Sequence, residues 1–139
     1  MVTQHQSLGT LRLTSRGCFH NEETTIEFER RSEHVQARIA VVRKGRPDAP
    51  NVGGIKVISM PAFRDFTERL RALIDAASVR GQFVSTTLIA LSVDLDVDGI
   101  PFRCSLDERA DVDGMDVAYA GLTPIETLVR GFVEARSGG

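Results

Sequence analysis

The sequence lacks most of the features that assign a function quickly. No apolar run approaches the ~20 residues that a membrane-crossing helix needs. The opening MVTQHQSLGT has no basic segment followed by an apolar run, so no secretory leader is expected and the chain reads as cytoplasmic. Cysteine is scarce: only Cys18 and Cys104 occur, and in a reducing compartment two free thiols are expected rather than a disulfide. There is no C-x-x-C or H-x-x-x-H pair, no phosphate-binding G-x-x-x-x-G-K-[ST] loop, no internal repeat and no low-complexity tract. Basic charge is not in surplus. The 17 Lys and Arg are outnumbered by 19 Asp and Glu, a net charge of −2, so a nucleic-acid partner is not expected.

What is present describes a folded domain. The 139 residues are 42% apolar and 26% charged, enough to build a core and within the size of one domain. A single domain over 1–139 is expected, with 1–7 and 137–139 as flexible tails. Charge is uneven along the chain. Residues 1–60 carry nine basic and six acidic side chains, net +3, whereas residues 61–139 carry eight and thirteen, net −5. Eight acids and two arginines lie between Asp94 and Asp116, and the basic side centres on VRKGRPDAPNVGG, residues 42–54.

Periodicity reads as strands first. LGTLRLTS (8–15) alternates through Leu11 and Leu13; RGCFHNEE (16–23) is polar and reads as a loop. TTIEFERR (24–31) and VQARIAVV (35–42) form a hairpin if Ser32 and Glu33 make the turn. Ile26 then faces Ile39 and Phe28 faces Ala37, while Glu27 meets Arg38 and Glu29 meets Gln36 on the other side. After a Pro/Gly connection over 43–54, GIKVIS (54–59) is a short strand. MPAFRDFTERLRALIDAAS (60–78) is a helix whose apolar stripe is Phe63, Phe66, Leu70, Leu73, Ile74 and Ala77, with Pro61 in its first turn and Gly81 past its end. QFVSTTLIALSVDLDV (82–97) and GIPFRCSLD (99–107) are strands, and MDVAYA (115–120) is another short one. TPIETLVRGFVEAR (123–136) is a second helix, with Thr123 and Glu126 as a capping box and Ile125, Leu128, Val129, Phe132 and Val133 as its stripe. The expectation is an α+β domain with a mostly antiparallel sheet of five to seven strands and two amphipathic helices, in the order β-β-β-β-α-β-β-(β)-α.

Asp94, Asp96, Asp98 and Gly99 begin like a calcium loop. The loop fails further on: the position that needs a bidentate glutamate is Ser105, position nine is Phe102, and the flanks are strand rather than helix. A hairpin turning at Asp98-Gly99 explains more. It pairs Val97 with Ile100, Leu95 with Phe102, Val93 with Cys104 and Leu91 with Leu106 on an apolar face, and Asp94 with Arg103 and Asp96 with Pro101 on the other.

Other candidate chemistry is thin. Cys18, His20, His34 and Cys104 are zinc-ligand types, but the hairpin turns Cys104 into the core. Cys18 and His20 share a loop, so a nucleophile–base pair is conceivable, but a histidine two residues from the thiol usually points elsewhere. No catalytic residue, cofactor or metal is expected. The residues that remain as a partner-binding surface are the acidic Asp107, Glu108, Asp111, Asp113 and Asp116 and the basic Arg43, Lys44 and Arg46.

The succession FRDFTERLRAL, glycine, long strand, DVDGI, return strand and GLTPIETLVRGFVEA, from Phe63 to Val133, resembles small bacterial immunity-type proteins of polymorphic toxin systems, the WapI-like group. The resemblance implies a protein that binds and blocks another protein, and it carries over no functional residue. The expected function is thus a non-enzymatic protein-binding module. The alternative is a small-ligand or metal-binding protein, or an enzyme, using the 16–23 loop or the acidic 94–116 stretch.

Overall fold

A computed structural model of the protein describes residues 5–16, 21–44, 52–76, 88–107, 109–112, 115–118 and 122–135. Six strands form one antiparallel sheet: β1 (His5–Arg16), β2 (Asn21–Arg31), β3 (His34–Lys44), β4 (Val52–Ser59), β5 (Leu88–Val97) and β6 (Ile100–Asp107). Their spatial order is β4-β3-β2-β1-β5-β6. A separate hairpin joins β7 (Arg109–Val112) to β8 (Met115–Ala118), and two helices, α1 (Met60–Ala76) and α2 (Thr123–Glu134), complete the α+β fold.

Both hairpins read from the sequence have the expected register. Ile26 pairs with Ile39, Phe28 with Ala37, Glu27 with Arg38 and Glu29 with Gln36. Val97 pairs with Ile100, Leu95 with Phe102, Val93 with Cys104, Leu91 with Leu106, Asp94 with Arg103 and Asp96 with Pro101. Asp98 (φ +55°) and Gly99 (φ +80°) take the left-handed conformations that a tight two-residue hairpin turn requires.

Several boundaries differ from the sequence reading. β1 begins at His5, paired with Arg31, so residues 5–7 belong to the sheet and not to a tail. β2 begins at Asn21 and β3 runs to Lys44, so both strands extend into stretches read as loop because their ends are polar. β7, in the acidic stretch to which no element is assigned from sequence, pairs with β8, with Asp111 opposite Asp116. Thr123 is the first residue of α2, and Leu122 holds the cap position instead. Ala77, Gly81 and residues 82–87 lie outside the described residues.

Alternation buries one face of the sheet under both helices. Leu11, Leu13, Ile26, Phe28, Val35, Ala37, Ile39, Leu91, Val93 and Leu95 meet Phe63, Phe66 and Leu70 of α1 and Ile125 and Val129 of α2. Four phenylalanines lock the layers together. The ring of Phe28 lies 5.1 Å from Phe63, 6.1 Å from Phe66 and 5.9 Å from Phe132, and Phe66 lies 4.6 Å from Phe132. Tilted pairs at these separations add to the area that each ring buries. Ser59 Oγ accepts the Ala62 amide at 3.2 Å, a side-chain cap at the start of α1.

Candidate functional site

The residues singled out by sequence fall in different places. Asp107 ends β6, Asp111 and Asp116 are opposite each other in β7 and β8, and Glu108, Asp113 and Arg46 lie outside the described residues. Arg43 and Lys44 end β3 rather than opening the Pro/Gly connection expected over 43–54. Arg43 Nε donates to Glu22 Oε2 at 3.1 Å, and Arg130 of α2 approaches the same carboxylate at 3.7 Å, so Glu22 ties β2, β3 and α2 together. Lys44 is exposed, beside a small recess of about 170 Å³ lined also by Thr14, Glu23 and Val42.

The three aspartates each have their own donor. Arg103 Nε donates to Asp94 at 3.1 Å, the Gly99 amide to Asp96 at 2.8 Å, and Arg64 to Asp98 through Nε at 2.9 Å and Nη2 at 3.0 Å. The Arg64 hydrogen bonds hold the Asp98 carboxyl below its ordinary pKa and raise that of the guanidinium. Among the described residues no three His, Cys, Asp or Glu side chains gather as a metal site. Cys18 and His20 lie outside the described residues. His34 and Cys104 stand on β3 and β6 with β2, β1 and β5 between them, a lateral offset alone of about 19 Å at ordinary strand spacing. Cys104 is half-buried against the core, and burial, with Asp75 nearby, pushes its thiol pKa up.

The most unusual element is one the sequence reading did not single out. In β4, pairing with β3 sets Ile55 opposite Arg38 and Val57 opposite Gln36, on the open face of the sheet; Lys56 falls opposite Ala37, on the helix-covered face. The polarity of the strand is therefore inverted. Ile55 is 55% exposed and Val57 48%, whereas Lys56 is only 9% exposed. With exposed Gly53, Ala40 and Val42, they make an apolar strip across β4 and β3, bordered by the exposed Arg38 and Glu27.

Lys56 reaches beneath β4 to the end of α2. Its Nζ donates to the Phe132 carbonyl at 2.7 Å and sits 4.4 Å from the centre of the Phe132 ring. The contact satisfies a carbonyl of the last helical turn and places a cation at the negative end of the helix dipole. Burial lowers the pKa of the amine. Beside it, between α1, α2 and β4, lies an open groove of about 540 Å³ walled by Val57, Ile58, Phe66, Leu128 and Phe132. Asp65 and Arg69, at its lip, are paired with each other at 3.0 Å. A second recess of about 250 Å³ touches Lys56 from the other side, where Gly53 and Gly54 leave space against Ile39 and Val133.

Among the described residues no helix is long and apolar enough to cross a membrane. Compared with known proteins, the chain matches no family model, no curated protein and no solved structure.

Proposed function

We propose that this protein is a non-enzymatic protein-binding module that docks its partner on the open face of the sheet at β4. The observation that carries this reading is the inverted polarity of β4. An edge strand that exposes isoleucine and valine and buries its only charge breaks the local rule that a stable fold follows, and such breaks concentrate at functional sites. An apolar strip with a charged border has the anatomy of an interface, with a core that sheds water and a rim that stays wet. Lys56 also says how the partner sits. An inward-pointing charge on an edge strand discourages a further strand from extending the sheet, so contact is made by the outward side chains rather than by strand addition.

The uneven charge supports the same reading. The acids between Asp107 and Asp116 would steer a basic partner and set its rate of approach. The resemblance to WapI-like immunity-type proteins leads to a module of this kind, one that binds and blocks a bacterial toxin-like protein in the cytoplasm. Arg43 is engaged with Glu22, which leaves Lys44 as the described basic residue with the better claim to a partner contact.

The test is affinity capture from the native source with mass spectrometry, comparing the wild type with two variants. Ile55→Lys/Val57→Lys should fold normally, since both sites are exposed, and lose the captured protein. Asp111→Lys/Asp113→Lys/Asp116→Lys should slow capture, with the effect shrinking as salt rises toward about 0.5 M. Capture that is indifferent to the β4 pair would move the docking face elsewhere. A wild type that takes up no specific protein would overturn the binding-module reading.

A further inference from the structure

We propose that the groove between α1, α2 and β4 binds a small amphipathic monocarboxylate, an alkyl or aryl chain ending in one carboxylate, with the head group on Lys56 Nζ and the chain along Phe66, Leu128 and Phe132. The head-group end of this site lies on the helix-covered side of β4; its wall shares Val57 with the docking strip, and it stands whether or not a protein binds the open side.

The inference starts from a lysine whose stem is buried and whose charge is only partly compensated. Lysine is almost never this deeply buried unless it is paired; here the stem is covered while the ammonium borders the open groove. Among the described residues no carboxylate lies within ion-pair distance of Lys56, which meets one carbonyl and one ring, both of Phe132. The end of a helix contributes about half a negative charge, which offsets part of the ammonium and leaves the rest. An ammonium also has three N–H groups, and the Phe132 carbonyl takes one. The residue borders both the groove and the glycine recess, so free space adjoins it on two sides.

The groove has the character of a ligand site for such a molecule. Its volume lies within the range of roughly 300–1,000 Å³ usual for small-molecule pockets, and a mostly apolar lining around very few polar groups is the usual pattern. The other two charges on its wall, Asp65 and Arg69, neutralise each other at the exposed lip. The uncompensated charge inside is therefore a single cation, which matches a single negative charge. A phosphate monoester carries nearly two charges and three acceptor oxygens; one lysine and an apolar wall cannot satisfy them. A neutral chain would gain the apolar contact but leave the ammonium without a counter-ion.

Sodium decanoate, held below its micelle concentration, is the probe, with decanol and decyl phosphate as the same chain bearing no charge and two. Titration of the full chain is followed by proton–nitrogen NMR, with the Lys56 εCH2 group observed in parallel. Saturable shifts are expected at Ile58, Leu128, Gly131 and Lys56, with decanoate binding about tenfold more tightly than either analogue, the scale of one charge-assisted hydrogen bond. In Lys56→Met the preference for decanoate over decanol should vanish while the chain contact persists; in Lys56→Arg it should be kept. Equal binding of decanoate and decanol by the unaltered protein overturns the proposal even if the methionine variant fails to fold. So does a lack of saturation, or a preference that survives in Lys56→Met. Loss of protein capture in the single variant Ile55→Lys, which leaves the groove lining unchanged, with decanoate binding intact would separate the two sites.

Discussion

Gly9 packs against the backbone of Asp94 so closely that a β-carbon built on it would lie 1.9 Å from the Asp94 carbonyl oxygen. The contact sits where β1 passes between β2 and β5, at a break in register: Ser7 pairs with Glu29, Gly9 pairs with Phe28, and Leu8 is the extra residue, turned into the core. Such a bulge bends the strand and re-aims a side chain. Gly9 makes it possible twice over, by its φ of +112° and by having no side chain to collide.

Gly9→Ala should therefore be among the most damaging single-methyl changes in the chain. The backbone conformation alone costs about 1–3 kcal/mol, and the collision with backbone that cannot swing away adds to it. Urea denaturation should show a loss of about 3 kcal/mol or more. A loss below about 1 kcal/mol would mean that β1 and β5 do not approach as closely as this.

Phe28 holds three other rings, from α1 and α2, at one point of the sheet and is 1% exposed. Truncation to alanine opens a cavity at the junction of both layers and should cost about 3–5 kcal/mol. Thermal unfolding followed by circular dichroism reports it. Near-wild-type stability would require both helices to be docked elsewhere.

Asp98 links its hairpin turn to α1 through Arg64, and the solvent-exposed pair is open to screening. The carboxyl pKa is depressed in the fold, first by the Arg64 hydrogen bond. A depressed acid stabilises above its unfolded pKa, about 3.9, and the contribution is lost as pH falls through the folded value. Asp98→Asn keeps a side chain that tolerates φ +55° but removes the charge. The stability gap between wild type and variant should be steady from pH 7 to about 4, close below that, and narrow in high salt. A gap that widens in acid contradicts the assignment.

Cys104 faces Val93 across the β5–β6 hairpin and is half-buried with a raised thiol pKa. With Cys18 replaced by serine, maleimide labelling of Cys104 should be slow in buffer and fast in urea, because the thiolate is the reactive form. Rapid labelling of the folded protein would place the hairpin one residue out of register, which would turn every side chain of β6 over.

The hairpins were legible because each is local. Ile26–Ile39 and Val97–Ile100 are pairings across two-residue turns, and period-two alternation permits one register that puts every apolar residue on the same side. The α1 stripe was legible for a similar reason, since Phe63, Phe66 and Leu70 recur at helical spacing and all are buried. Their partners were not. Nothing in the neighbourhood of Leu11 indicates that it lies beside Val93, eighty-two residues on, or that β1 separates two hairpins in the middle of the sheet.

The candidate site depended on β4, where local pattern and fold disagree. Read by alternation, Gly54, Ile55, Lys56, Val57 and Ile58 would turn isoleucine and valine inward and the lysine to water. The sheet turns them the other way. β4 must hydrogen-bond to β3 in one register, that register puts Lys56 beside Ala37, and the last turn of α2, seventy-six residues further along, brings the Phe132 carbonyl to receive its ammonium. The sequence by itself determined the hairpins and the apolar stripes, because these depend on residues within a few turns of one another. Which face of β4 meets water, and so where an apolar strip and a buried cation arise, was decided only by tertiary structure: hydrogen bonding along the sheet edge and a carbonyl from a distant helix together outweigh the side-chain preferences of five residues.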